Sequence, residues 1–146
     1  MDLLKSMDIS ASGLNAQRGA LHAIATNLAN AHTTRTEEGG PYVRRQAVLS
    51  PIPVSSSPFP EILVGRMNQE ALGVKMEIQL DESNDPQIVY DPSHPDADAD
   101  GYVALPNVNI VEEMVNMMAA VRCYEANVTA FNAAKGMAMK SLEIGK

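Results

Sequence analysis

The chain has 146 residues, a formal net charge of −7, no Trp and two Phe. That length holds one domain, or a small domain with an extension, and the negative charge excludes nucleic-acid phosphate as a natural partner. The scarcity of aromatics argues against a large compact core, and no apolar run is long enough to span a membrane.

The acid is unevenly spread. Residues 1–73 carry six basic and six acidic side chains, residues 74–146 five and twelve, and eight of those twelve lie between Glu77 and Asp100. The middle of the chain should therefore present an acidic surface between nearly neutral ends. The one cysteine, Cys123, has no partner for an internal disulfide. The start, Met1-Asp2-Leu3-Leu4-Lys5, has neither a secretory apolar region nor a small-residue cleavage site. The expectation is a cytosolic chain, or one exported without a cleaved signal.

The first element is a helix starting near Asp2 or Ser6 and fading after Asn30, about 28 residues or roughly 40 Å. Its seam positions step by four and three, with Ser10 and Gln17 as polar interruptions: Leu3, Met7, Ser10, Leu14, Gln17, Leu21, Ile24, Leu28, Ala31. That is the a/d seam of a coiled coil. The flanks are small (Ala11, Gly13, Ala16, Gly19, Ala20, Ala23), which lets other helices approach closely. Gly39-Gly40-Pro41 ends any helix.

Tyr42–Leu49 reads as a short strand. Ser50–Pro60, with four prolines, reads as an extended exposed arm. Leu72, Val74, Met76, Ile78 and Leu80 alternate with Gly73, Lys75, Glu77 and Gln79, the pattern of a half-buried strand. Glu82–Pro86 reads as a turn and Gln87–Tyr90 as the return strand of a β-hairpin. The last helix follows Pro106, with Asn109 and Glu112 at capping-box spacing. Its seam runs Ile110, Met114, Met117, Val121, Tyr124, Val128, Phe131, Lys135, Ala138, Leu142.

The expected fold is α+β and mainly helical, with long N- and C-terminal helices pairing as a coiled coil and a small middle segment containing a β-hairpin. Residues 1–33 and 107–146 would form the helical part and residues 34–106 the extended and β part. Asn27 and Asn127 are poor helix-interior residues and are candidates for hydrogen bonds between helices that fix register. Asn30 is a candidate helix cap.

No catalytic constellation emerges. His22, His32 and His94 lack paired zinc spacing, and there is no nucleophile elbow or phosphate-binding Gly-rich loop. Asp96-x-Asp98-x-Asp100-Gly101 matches the opening of an EF-hand loop. Asn107 stands where the bidentate Glu belongs and Pro95 blocks an entering helix, so the run is expected to be a turn and an inter-subunit contact. Neither a cofactor nor a metal site is expected.

Ser12-Gly13-Leu14-Asn15-Ala16-Gln17-Arg18, continuing to Ile24-Ala25-Thr26-Asn27-Leu28-Ala29-Asn30-Ala31, resembles the N-terminal motif of bacterial flagellar axial proteins of the rod and hook. Val111–Met118, continuing to Arg122-Cys123-Tyr124-Glu125-Ala126-Asn127-Val128, resembles the C-terminal motif of that family. The run from His94 to Val103, leading into Pro106-Asn107-Val108-Asn109, and the short middle are similar to the proximal-rod member. The resemblance implies a structural subunit with no enzymatic activity, exported through the flagellar type III apparatus and assembled in the periplasmic rod. Its implied partners are other rod subunits and copies of itself, with neither nucleic acid nor membrane insertion.

On the seams, the expected subunit-interface residues are Leu14, Leu21, Ile24, Asn27, Leu28, Ile110, Met114, Met117, Val121, Tyr124, Asn127, Val128 and Phe131. Helices that need neighbours for full burial should be poorly ordered in the isolated chain. Two alternatives stay open: a private helical hairpin core, and a soluble adaptor or export chaperone working through paired amphipathic helices.

Overall fold

A computed structural model describes residues 3–53, 72–81 and 85–145. Among these the elements run α1 (Leu3–Ala29), β1 (Arg45–Pro53), β2 (Leu72–Leu80), β3 (Gln87–Tyr90), β4 (Tyr102–Leu105) and α2 (Ile110–Ile144). The fold is α+β and mainly helical, with helices of 27 and 35 residues at the two ends.

Both helices have chemical reasons for their boundaries. At the start of α2 the Asn109 side-chain oxygen accepts the Val111 and Glu112 amides at 3.1 and 3.3 Å, which satisfies two of the orphan N–H groups of the first turn. Glu112 and Glu113 lie in that turn, at the positive end of the helix dipole. At the end of α1 the Asn30 side-chain amide donates to the Thr26 carbonyl at 2.9 Å, so a side chain caps the carbonyl end. The chain then turns at Gly39 and Gly40, whose φ angles of +90° and +77° suit glycine.

The buried stripe of α1 is not its leucine seam. Gly13, Ala16, Ala20, Ala23, Ile24 and Asn27 are buried, whereas Leu14, Leu21 and Leu28 are only half-buried. Small residues permit the closest approach, so the tightest line of contact runs through them. On α2 the buried positions are Glu113, Ala120 and Ala134, one residue before the expected Met114, Val121 and Lys135.

The strands pair differently from expectation. The sequence reading joins β2 and β3 in one hairpin. Instead β1 pairs with β2 and β3 with β4, a strand for which the reading has no place. The Asp81 amide donates to the Arg44 carbonyl and the Ser50 hydroxyl to the Lys75 carbonyl, so β1 and β2 are antiparallel. β1 also begins three residues later than Tyr42 and runs through Pro51 to Pro53. A two-stranded sheet has an open edge on every strand, where a proline without an N–H is tolerated. The rest of the expected arm, 54–60, and the turn residues 82–84 lie outside the described residues.

β3 and β4 are antiparallel, with Gln87 opposite Leu105, Ile88 opposite Ala104, Val89 opposite Val103 and Tyr90 opposite Tyr102. Val103 is buried on one face, while Ile88, Tyr90 and Tyr102 are exposed on the other. The loop between these strands contains the EF-hand-like run. Its carboxylates act as turn acceptors: Asp91 from the Ser93 amide and hydroxyl at 3.0 and 2.6 Å, Asp98 from the Asp100 and Tyr102 amides at 3.0 and 2.9 Å. The two Ser93 hydrogen bonds hold the Asp91 carboxyl below its usual pKa.

Contacts divide the chain into two compact units. One comprises Met1–Gly19, Val48–Glu77 and Ala120–Lys146; the other comprises Ala20–Ala47 and Ile78–Ala119. In the first, a Cβ on Gly13 would lie 2.8 Å from the Asn127 side-chain amide, and one on Gly19 would collide with the Met76 methyl. There too, the Val74 amide of β2 donates to the Ser12 hydroxyl of α1 at 3.1 Å. The second holds the β3–β4 hairpin and a buried polar cluster.

Candidate functional site

Asn27, near the end of α1, and Glu113, in the first turn of α2, are each only 1% exposed. Burying an amide and a carboxylate is costly unless every polar atom is satisfied. The Asn27 amide nitrogen donates to the Glu113 carboxylate at 3.0 Å and to the Arg45 carbonyl at 2.8 Å. Its oxygen accepts the Tyr42 hydroxyl and the Arg45 amide, each at 2.8 Å. An amide side chain has two donors and about two acceptor sites, so the hydrogen-bonding capacity of Asn27 is filled.

Glu113 is neutralised from the loop between α1 and β1. Arg44 places Nε at 2.8 Å and Nη2 at 2.6 Å from Glu113 Oε1, distances of a strong charge-assisted bond. Arg44 also reaches Asp81 at 3.3 Å and Glu112 at 3.9 Å. Burial works against the guanidinium charge, but Glu113, Asp81 and Glu112 outweigh it and hold its pKa above the ordinary value. Burial likewise raises the Tyr42 phenol; Arg45 partly opposes this and Glu113 adds to it. The cluster ties α1, the following loop and α2 at one point. Its buried amide and carboxylate atoms are all taken up in these hydrogen bonds, so its chemistry is that of a structural lock.

Of the two asparagines singled out as register-fixing candidates, Asn27 does hydrogen-bond across helices, to Glu113. Asn127 is half-buried and lies against Gly13. Sequence reasoning missed Glu113, Arg44 and Tyr42. Glu113 carried the ordinary signature of a helix first turn, and nothing in its spacing from Arg44 marks a pair 69 residues apart.

Outside the lock, α2 carries uncovered apolar surface. Val111, Met114, Val115, Met118 and Val121 are 70%, 52%, 54%, 61% and 39% exposed. Their spacing of three and four puts them along one side of the helix. The expected interface residues fall into three groups. Ile24 and Asn27 are buried within the chain; Leu14, Leu21, Leu28, Met117, Asn127, Val128 and Phe131 are half-buried; Ile110, Met114, Val121 and Tyr124 are exposed. Among the described residues no His, Cys, Asp or Glu side chains cluster in threes to hold a metal ion, and no helix is long and apolar enough to cross a membrane.

Comparison with known proteins supplies the context for these surfaces. The family model "Flagella basal body rod protein" matches residues 7–35, and "Flagellar basal body rod FlgEFG protein C-terminal" matches residues 99–144. The chain is 42% identical over 150 residues to the flagellar basal-body rod protein FlgC of Bacillus subtilis strain 168, covering 100% of both chains. It is 41% identical to FlgC of Borreliella burgdorferi, covering 99% of this chain and 98% of the relative. It is 39% identical to FlgC of Salmonella typhimurium over the whole of both chains.

Proposed function

Because the chain belongs to the FlgC family of flagellar basal-body rod proteins, we propose that its two terminal helices pair as a coiled coil and drive its assembly into the proximal, periplasmic part of the rod. It is a structural subunit of the basal-body rod and not an enzyme, and the adaptor or chaperone reading is not favoured. The finer reading adds its partners, which are neighbouring rod subunits and copies of itself. It also adds its route, export through the flagellar type III apparatus.

The exposed stripe Val111, Met114, Val115, Met118 and Val121 carries this proposal. Transfer of such side chains from water is worth about 1.5–3 kcal/mol each when burial is complete. Contiguous exposed apolar surface of this kind marks an interaction site. Helix pairing is supported by one contact in each compact unit, Gly13 with Asn127 in one and Asn27 with Glu113 in the other. The interface is assigned to the exposed and half-buried seam residues Leu14, Leu21, Leu28, Ile110, Met114, Met117, Val121, Tyr124, Asn127, Val128 and Phe131. Asn27 contributes by fixing the helices that present them.

The test is complementation. A strain lacking this protein should fail to swim and yield no intact rods. Re-expression should restore both, with the chain recovered in purified basal bodies after spheroplast lysis. Recovery of the chain only in the cytoplasm of swimming cells would refute the assembly reading.

A further inference from the structure

The β3–β4 hairpin has a face that stays exposed among the described residues. Tyr90 and Tyr102 are directly opposite one another, with ring centroids 5.3 Å apart and planes at 66°. Tyr90 is 64% exposed, Tyr102 46% and the adjacent Ile88 70%. The other side of the hairpin provides the internal packing, through Val103 at 3%.

This aromatic pair is held in place. Gly101 has φ +83°, and a Cβ there would come within 3.0 Å of the Tyr90 ring and 3.2 Å of Pro92, so the glycine seats the ring closely. The loop behind it is closed by Asp91 N–H to Gly101 O at 3.0 Å and Asp98 N–H to Tyr102 O at 2.9 Å. Exposed, rigid tyrosines lose little conformational freedom on contact, which is why such residues anchor interfaces.

The charge on the hairpin's own residues has one sign. From Asp85 to Asn109 there are five aspartates and neither lysine nor arginine. Asp85, Asp98 and Asp100 are exposed, and Asp96 meets Arg35 only at 4.0 Å, with Arg35 itself 78% exposed. A π-face beside carboxylates fits the guanidinium group, which stacks on an aromatic ring and pairs with carboxylate in one geometry.

We infer that the Ile88–Tyr90–Tyr102 face of the hairpin, with Asp98 and Asp100 at its rim, is a docking surface for an arginine-bearing surface of a different polypeptide. The inference rests on the rod reading for its setting, and it adds a second contact region apart from the helices, with a partner of defined chemistry.

Photo-crosslinking in cells tests it. p-Benzoylphenylalanine is placed at Tyr90 and, separately, at Ile88, with a reference at Met118 on the exposed stripe of α2. Basal bodies are irradiated and the joined peptides identified by mass spectrometry. The expected product at Tyr90 and Ile88 is a peptide of another protein whose crosslinked segment carries arginine. Asp100→Lys should lower that product at least tenfold and Asp100→Asn by less, with the circular dichroism of the purified chain unchanged. Products joining two copies of this chain would overturn the inference, as would a partner segment without arginine. Absence of product at both positions while Met118 crosslinks would overturn it and leave the rod reading standing. Absence at all three would count against both.

Discussion

The side-chain amide of Asn27 pairs with the peptide of Arg45 through both of its polar atoms, each at 2.8 Å. This is the pattern a neighbouring strand would offer, supplied here by a helix to the first residue of β1. Asn27→Ala would strip partners from the Arg45 peptide, the Tyr42 hydroxyl and Glu113 together. Each buried group left unsatisfied costs about 1–3 kcal/mol, so a total loss of roughly 3–5 kcal/mol is expected. Asn27→Asp should be at least as damaging at neutral pH, because it sets a second carboxylate beside Glu113. Urea titration followed by circular dichroism checks both, and a loss under about 1 kcal/mol for Asn27→Ala would show that the lock contributes little.

The pairing of Arg44 with Glu113 makes a separate prediction. Arg44→Met leaves a 1%-exposed carboxylate without its cation. Breaking one side of a buried pair typically costs about 3–5 kcal/mol, whereas replacing both by apolar residues is often nearly neutral. Arg44→Met combined with Glu113→Leu should therefore be more stable than Arg44→Met alone. A double-mutant cycle by urea unfolding should give a coupling of at least about 2 kcal/mol. Additive losses would mean that the pair is not the unit.

Tyr42 gives the lock a pH dependence. Burial holds its pKa above the ordinary 10.0, so the folded chain binds the phenolic proton more tightly than the unfolded chain. Its contribution is complete below pH 10 and is lost as pH rises through the raised value. Tyr42→Phe should cost about 1 kcal/mol at neutral pH, since Asn27 keeps the Arg45 N–H. The gap between wild type and Tyr42→Phe should be constant up to about pH 9 and shrink above it. A gap that widened with rising pH would contradict the assignment.

Two helical glycines should respond differently to an added side chain. At Gly136 of α2, an added Cβ meets nothing within 4 Å. Gly136→Ala should then stabilise the isolated chain by about 0.5–1 kcal/mol, the helix-propensity difference. At Gly13 the Cβ would lie 2.8 Å from the Asn127 amide. That atom is the end of a mobile side chain, so Gly13→Ala should be nearly neutral while Gly13→Leu destabilises. Thermal unfolding of the variants decides this. A stabilising Gly13→Leu would rule out the close helix approach.

What the sequence disclosed was set by periodicity and local chemistry. The ends of both helices, the Asn30 and Asn109 caps and the position of β2 were legible because each depends on neighbours within a few residues. The half-burial expected of β2 is not seen along its length, since Leu72, Ile78 and Leu80 are exposed and Gly73 is buried. Strand pairing was not: the Leu72–Leu80 and Gln87–Tyr90 runs look like one hairpin, and only tertiary context sends the first to β1 and the second to β4. The seams were legible in period, while the closest contacts within the chain run beside them, through the small residues of α1 and one position earlier on α2. Apolar size marks Leu14 and Leu21, but closeness of approach decides burial, and that favours Gly13, Ala16 and Ala20. Asn27 was visible as a poor helix residue, while Glu113 looked like any first-turn glutamate.

The exposed stripe of α2 permits folding and assembly to be separated. Leu21 and Val128 are half-buried on the seams. A carboxylate at either meets apolar neighbours in the isolated chain, so Leu21→Asp and Val128→Asp should lower its stability by several kcal/mol as well as stopping rod growth. Val115 and Met118 are 54% and 61% exposed. A carboxylate there remains hydrated in the isolated chain, and surface changes of this kind stay within about 0.5 kcal/mol. In an assembly that covers the stripe, the same carboxylate is buried without a partner at every subunit. Val115→Asp and Met118→Asp should therefore leave the urea midpoint unchanged and abolish swimming and rod formation in a strain lacking the wild-type chain. Met118→Leu, which keeps the apolar contact, should swim. If both aspartate variants build normal rods, the stripe faces solvent in the rod, and the assembly surface must be sought among the half-buried seam residues.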